Sequence, residues 1–346
     1  MTNGKIGILG AGRFGTALAV LVAHKHDVLI YTRQEENIQS INEQHKHSYL
    51  GYELSPRIKA TNDAREFCEE CRLIFPVVPS ENFRAVMRSF SKYLKPYHIL
   101  IHGTKGLDVD PEIYRREPLV LSRTEVFTMS EIIEQETQVL RVGCVSGPNL
   151  AEEIMDGQPT ATVIASEFKE VIEQGKKALN CSVFRVFESS EIRGAELAGA
   201  FKNIIAIGSG ILQGRGLGKN IQSMLITKGL SEIIYLGKEL DIHPSVFLGT
   251  AGLGDVIATA TSEKSRNYSF GLRIGKGADL DDIKSDYKEL VEGVRTLRIA
   301  HGLNKHFELH LPITDLLYKI VFEDYPLEDA IKYLMYFPYD VDVGFL

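Results

Sequence analysis

The sequence predicts an α/β domain on a doubly wound, mostly parallel sheet, followed by an all-helical domain. Three observations carry that prediction. Short β-branched runs alternate with charged amphipathic stretches through the first half, which is the pattern of βαβ units and a parallel sheet. The first of these runs closes on Gly10-Ala11-Gly12-Arg13-Phe14-Gly15 and opens directly into a helix. From about Ile192 few clear strands follow and long helical patterns dominate. A chain of 346 residues also suits two domains of about 100–200 residues each. The boundary falls near residue 190, giving 1–190 for the α/β domain and 191–346 for the helical one. No Gly/Ser- or Pro-rich linker marks it, so the halves are expected to pack tightly.

In order, the strands are Lys5–Gly10, Asp27–Thr32, Leu73–Val78, Ile99–Gly103, Arg141–Ser146, Ala161–Ala165 and Val183–Phe187. Between them, Thr16–His24 and Glu81–Tyr93 repeat apolar residues at helical spacing. In the second half the helices are Ala195–Gln213, Ile221–Leu240, Ser265–Lys276, Glu292–Leu303, Pro312–Phe322 and Leu327–Phe337.

Composition narrows the function classes. Charged residues are 25% and hydrophobic residues 44% of the chain, which excludes a disordered or low-complexity protein. The net charge of -7 argues against nucleic acid as a partner, because binding its backbone needs a basic surface. No stretch approaches ~20 uninterrupted apolar residues, so no transmembrane helix is expected. The start, Met1-Thr2-Asn3-Gly4-Lys5, runs straight into an apolar strand and does not read as a signal peptide. Four cysteines make no disulfide framework and fit a reducing cytoplasm.

The Gly10–Gly15 turn has the G-x-G-x-x-G spacing of a dinucleotide site, with strand, turn, helix and second strand in the expected order. Gly10 permits the tight turn, Gly12 lets a pyrophosphate approach the backbone, and Gly15 lets helix and strand pack closely. The helix N-terminus then offers N–H groups and a positive dipole end to phosphates. The second strand ends in Tyr31-Thr32-Arg33, with the acidic residues displaced to Glu35 and Glu36. A guanidinium at Arg33 suits a 2′-phosphate, so NADP(H) is the expected cofactor, with NAD(H) possible. The alternative is that Arg33 stacks on the adenine of either one.

Later strand ends carry further candidates. Lys105 lies between two glycines in His102-Gly103-Thr104-Lys105-Gly106-Leu107, and Ser146-Gly147-Pro148-Asn149-Leu150-Ala151 leads into another helix. Ligands in doubly wound sheets sit at such strand C-termini. In the helical half, the segment Glu196–Gly208 is almost wholly small or apolar, yet Lys202 and Asn203 stand at its centre. Lysine is almost never buried without a partner. One reading is a snorkelling side chain at a packing seam; the other is a partly buried amine fit for proton transfer. Ala251-Gly252-Leu253-Gly254-Asp255 supplies a carboxylate that can pair with Lys202. Ser265-Arg266-Asn267 opens a helix with groups suited to an anion, Arg266 as a fork and its neighbours as hydrogen-bond donors.

Other features read as structural. Cys68-Glu69-Glu70-Cys71 has no second pair for zinc and precedes a strand rather than following one. Cys144 and Cys181 read as small core residues, and no H-E-x-x-H occurs, so no metal is expected. His24/His26 and His45/His47 read as solvated loop residues. Gly214–Gly218 is expected to be an interhelical turn.

Taken together, these residues resemble the NAD(P)-dependent glycerol-3-phosphate dehydrogenases of bacterial type. The likeness rests on GAGRFGTALA at 10–19, VVPS at 77–80, TKGL at 104–107, SGPNLA at 146–151 and LAGAFKNIIAIG at 197–208. It continues through LITKGLSE at 225–232, GLGD at 252–255, SRN at 265–267, VEG at 291–293 and LPIT at 311–314. The resemblance implies a Rossmann-type domain joined to a helical domain of the 6-phosphogluconate-dehydrogenase-like kind. It also implies reversible hydride transfer between NAD(P)H and dihydroxyacetone phosphate, giving sn-glycerol 3-phosphate for phospholipid synthesis.

The resemblance further implies roles. Lys202 is the general acid for the C2 alkoxide and the base in reverse, which near neutral pH asks for a pKa below the free value of about 10.4. Lys105 and Asp255 orient the substrate oxygens and the amine. Arg266 and Asn267 hold the substrate phosphate, with Ser265 and Thr259 assisting and Asn203 beside them. Gly147, Asn149 and Ala151 line the floor between substrate and nicotinamide. Arg13 and Phe14 of the first turn, with Gly10, Gly12, Gly15 and Arg33, hold the cofactor, which Lys105, Arg266, Leu290 and Glu292 also touch. A cytoplasmic homodimer acting on a small phosphorylated molecule, not integral to a membrane, is the family expectation. Asn149 and Tyr31 depart from the family's common residues, and the tail 336–346 has no counterpart in it.

Two rivals share the N-terminal half. A related two-domain reductase of another keto or hydroxy acid need not carry the SRN group. A non-catalytic NADP-binding sensor is expected to lose Lys202 or Asp255, and both are present.

Overall fold

The structure is a computed structural model, and it describes residues 4–279, 282–283 and 291–336. By its packing the chain divides into two units. The first comprises 1–108 with 128–193, and the second 109–127 with 194–346.

The first unit is a sheet of eight strands in the order β3-β2-β1-β4-β5-β6-β7-β8. They are β1 Lys5–Leu9, β2 Val28–Tyr31, β3 Ile58–Thr61, β4 Cys71–Pro76, β5 Ile99–His102, β6 Arg141–Ser146, β7 Thr160–Ala165 and β8 Phe184–Ser189. Every neighbouring pair is parallel except β6 and β7. Strands β1, β2, β4 and β5 are covered on both faces, so they are nearly continuous apolar runs rather than alternating ones. Ile8, Ile30, Phe75 and Ile101 are fully buried among them, each worth about 1.5–3 kcal/mol relative to exposure.

The order reverses between β1 and β4, which is the switch point at which such sheets open a crevice. One strand is absent from the sequence expectation. β3 has only four residues, at the sheet edge, where Ile58 and Ala60 register against Val28 and Ile30 of β2. Four residues after Pro56-Arg57 are too few for a periodic signal.

A second difference concerns 109–127. The sequence boundary puts this segment in the first domain, but it packs within the second unit. Leu121 N–H donates to the Gly302 carbonyl at 3.1 Å. A Cβ on Gly302 would press on Leu121 and Leu119. The Tyr114 ring takes the guanidinium groups of Arg295 and Arg298 at 4.6 and 4.7 Å from its centroid, cation–π contacts that no local pattern announces.

The second unit is helical in its described residues. Helix Ile192–Gly214 is long and apolar enough to cross a membrane, but it is the buried core of this unit. It crosses helix Arg266–Gly275 with the two backbones in contact. A Cβ on Gly271 or Gly275 would clash with the carbonyls of Ile207 and Ile211, and one on Gly210 or Gly214 with those of Tyr268 and Leu272. Gly214–Gly218 forms the turn into helix Lys219–Glu239. From that helix, buried Glu232 accepts the N–H groups of Ile313 and Thr314 at 2.5 and 2.9 Å and the Thr314 hydroxyl at 2.9 Å. It thereby satisfies the first amides of helix Pro312–Phe322.

Candidate active site

In the first unit the candidate residues gather at the carboxyl ends of β1, β2, β5 and β6. Gly10 leaves β1 with φ +124, a conformation that L side chains avoid. Helix Arg13–Ala23 starts at Gly12 with no side-chain cap and no acidic residue in its first turn. A Cβ built on Gly12 meets nothing within 4 Å, whereas one on Gly15 would strike the Gly10 carbonyl. An uncapped helix start behind an open backbone fits a pyrophosphate. Arg13 pairs with Glu152 at 3.0 Å, and the Phe14 ring packs against Gly103 at the end of β5. Arg33 is exposed beyond β2.

Lys105 Nζ donates to the Gly147 carbonyl at 2.8 Å, linking the ends of β5 and β6. Asn149 Nδ2 donates to Thr162 Oγ1 at 2.9 Å, and that hydroxyl donates to the Ser146 carbonyl at 3.0 Å. Asn149 Oδ1 is buried with no hydrogen-bond partner among the described residues. Ala151 begins the next helix.

In the second unit Lys202 is 6% exposed and Asp255 1%. The Lys202 ammonium donates to Asp255 Oδ1 and, at 2.7 Å, to Thr259 Oγ1. The Thr259 hydroxyl reaches the same carboxylate oxygen at 3.3 Å. Thr250–Gly254 is a π-helical turn, and Asp255 starts helix Asp255–Ala260. Asp255 and Thr259 are therefore one helical turn apart and face the amine together.

Asn267 Nδ2 donates to Asn203 Oδ1 at 2.9 Å, and Asn267 Oδ1 accepts Gly293 N–H at 2.9 Å. This relay ties the Lys202 helix to the starts of helices Arg266–Gly275 and Glu292–Phe307. Ser265 is buried and caps the Arg266 helix, accepting Tyr268 N–H at 3.3 Å. Arg266 is exposed at that helix start and Glu292 opens the next helix. Leu290 lies outside the described residues.

His47 is not a solvated loop residue: it is 1% exposed, with its ring bonded to the Ala11 carbonyl. Sequence gave no sign of this contact, because 36 residues separate the partners. Cys68 and Cys71 are buried free thiols, and burial pushes both up to about 12, which makes them poor nucleophiles. Among the described residues no group of His, Cys, Asp and Glu could hold a metal ion.

Two family models match the chain, the N-terminal part of NAD-dependent glycerol-3-phosphate dehydrogenase over residues 5–172 and its C-terminal part over 191–332. The chain belongs to the NAD-dependent glycerol-3-phosphate dehydrogenase family. A member from Exiguobacterium, named a glycerol-3-phosphate dehydrogenase of NAD(P)+ type, is 36% identical and aligns over 95% of this chain and 94% of its own. One from Oceanobacillus iheyensis, with the same name, is 37% identical over 96% and 93%. A crystal structure of glycerol-3-phosphate dehydrogenase from Coxiella burnetii superposes with a TM-score of 0.86 at 29% identity, covering 96% of this chain and 98% of that one. A ketopantoate reductase from Ralstonia eutropha, at 12% identity and a TM-score of 0.58, shares the fold alone. The family's two parts thus span both the glycine turn and the Lys202–Asp255 pair.

Proposed function

We propose that Lys202 is the proton donor and acceptor in the NAD(P)-linked interconversion of dihydroxyacetone phosphate and sn-glycerol 3-phosphate that this family catalyses. The observation that carries the reading is the buried amine held between Asp255 and Thr259. A buried lysine that donates to both a carboxylate and a hydroxyl is held in direction by them.

When bound in the glycine turn, a nicotinamide cofactor would supply the hydride exchanged with the substrate C2 carbon. In reduction, the Lys202 ammonium gives one proton to the C2 oxygen and becomes a neutral amine; in oxidation the amine takes that proton back. Asp255 and Thr259 hold the amine in both states. The Asn203–Asn267–Gly293 relay orients the Asn267 amide beside Arg266, and these two groups bind the substrate phosphate, with Ser265 shaping the helix start. In the first unit, the glycine turn with Arg13, Phe14 and Arg33 binds the cofactor, NADP(H) in preference to NAD(H). Lys105 and Gly147 serve the substrate side, with Asn149 and Ala151 beside them. Leu290 and Glu292 complete the cofactor set. We further place the protein in the cytoplasm as a homodimer that supplies glycerol 3-phosphate for phospholipid synthesis.

The test is the fall in NADPH absorbance with dihydroxyacetone phosphate, beside unphosphorylated dihydroxyacetone, with NADH as second cofactor and Lys202→Ala as control. Turnover with the phosphorylated ketone alone, lost in the control, is the expected result. Tight NADPH binding with turnover of neither ketone refutes the assignment.

A further inference from the structure

Ala11 lies inside the glycine turn, and its carbonyl oxygen is taken up from outside the βαβ unit. It is 2.8 Å from His47 Nε2 and receives the Tyr49 hydroxyl at 3.3 Å. A carbonyl oxygen can only accept, so Nε2 carries the imidazole proton. His47 Nδ1 is buried and has no hydrogen-bond partner among the described residues. Burial holds the ring below its usual 6.5, which keeps it a neutral, one-sided donor.

The loop that presents His47 is itself built. His45, with φ +52, ends the π-helical turn Ser40–Gln44. The Ser40 hydroxyl donates to the Lys46 carbonyl at 2.8 Å. His47 N–H donates to the Tyr52 carbonyl at 3.1 Å, and Leu54 N–H to the His45 carbonyl at 2.7 Å. The His47 and Tyr49 rings meet edge to face at 4.4 Å.

The peptide joining Ala11 to Gly12 is planar and trans, so its C=O and N–H point in opposite directions. Pinning the Ala11 oxygen therefore fixes where the Gly12 N–H points. Gly12 is the residue at the open helix start, where an added Cβ meets nothing within 4 Å.

We propose that His47 is a positioning residue for the cofactor, holding the Ala11–Gly12 peptide in the orientation that binds the pyrophosphate. The proposal rests on the reading of the glycine turn as the cofactor site. It needs no turnover to test. The dissociation constants of NADPH and of ADP-ribose, which has the pyrophosphate but no nicotinamide, are measured on the full chain by calorimetry.

His47→Ala and His47→Phe should each weaken both ligands about tenfold, the worth of a lost hydrogen bond to an aligned group. His47→Gln, whose amide nitrogen reaches the Nε2 position, should restore both to within about threefold. His47→Phe keeps a ring in the loop and removes only the donor, so it decides the matter even where His47→Ala does not fold. In steady state the loss should fall on KM for NADPH rather than on kcat. Wild-type affinity in His47→Phe overturns the inference, as does failure of His47→Gln to restore binding. If the unsubstituted protein binds neither ligand, the reading of the glycine turn falls with it.

Discussion

Replacing Asp255 by Leu should destabilise the helical unit far more than replacing it together with Lys202. The Lys202 and Asp255 side chains are 8% and 1% exposed. Removing the carboxylate takes the counter-charge of Asp255 from an ammonium that stays buried beside the Thr259 hydroxyl. Breaking a buried pair from one side costs about 3–5 kcal/mol, because the other charge stays desolvated. At roughly 2–4 °C per kcal/mol for a unit of this size, the melting temperature should drop by about 6–20 °C. Converting both partners to apolar groups, Lys202→Met with Asp255→Leu, removes the stranded charge and should return stability to within ~1–2 kcal/mol of the starting protein. Turnover should not return, since loss of a proton donor alone costs about 10²–10⁴-fold. Thermal and urea unfolding of the four proteins in the cycle, beside NADPH oxidation, reads both effects. Additive destabilisation in the double variant would refute the coupling, and an active double variant would refute the role of the amine.

Gly293→Ala should raise KM for the phosphorylated substrate several-fold, because its Cβ would stand 2.6 Å from Asn267 Oδ1 and break the relay; overpacking there should cost about 1–3 kcal/mol in urea unfolding. Burial pushes Glu232 up to about 8, above its ordinary 4.5. The folded state therefore keeps a proton that the unfolded chain releases, and the stabilisation present below about pH 4.5 is lost as pH rises through 8. Urea unfolding at pH 5 and pH 8 should show that decline, on the order of a few kcal/mol, and Glu232→Gln should flatten it; equal slopes would count against the assignment. Arg33→Leu should raise KM for NADPH at least about tenfold while moving KM for NADH little, as expected for a lost charge-assisted contact to a 2′-phosphate.

What the sequence made legible follows from range. The glycine turn, the strand ends and the long helices are local patterns, and they appear where periodicity places them. Lys202 stands out because a lysine within an apolar helix demands an explanation, and Asp255, directly after the glycine-rich turn Thr250–Gly254, supplies a partner for it. The four residues of β3 have too little length to show a period. The burial of His47 and the lodging of 109–127 against Gly302 depend on partners 36 and roughly 180 residues away, and no window along the chain contains both ends. Asn267 stands in the SRN group that the sequence singles out, but its contact with Gly293 N–H exists only once the starts of helices Arg266–Gly275 and Glu292–Phe307 have met.

The lodging of 109–127 in the second unit bears on how the protein is made. Synthesis delivers this segment well before the helices it packs on, and chain that belongs to the sheet follows it immediately. A ribosome-bound chain can therefore close most of the sheet while Leu119, Leu121 and Tyr114 wait for Arg295, Arg298 and Gly302 to emerge. A fragment begun at residue 194 would lack its seat-filling strip and expose the apolar surface around Gly302. Expressing this protein as two pieces cut at residue 194 should accordingly leave the sheet piece folded and the helical piece insoluble, and a graft of 109–127 onto the helical piece should rescue it.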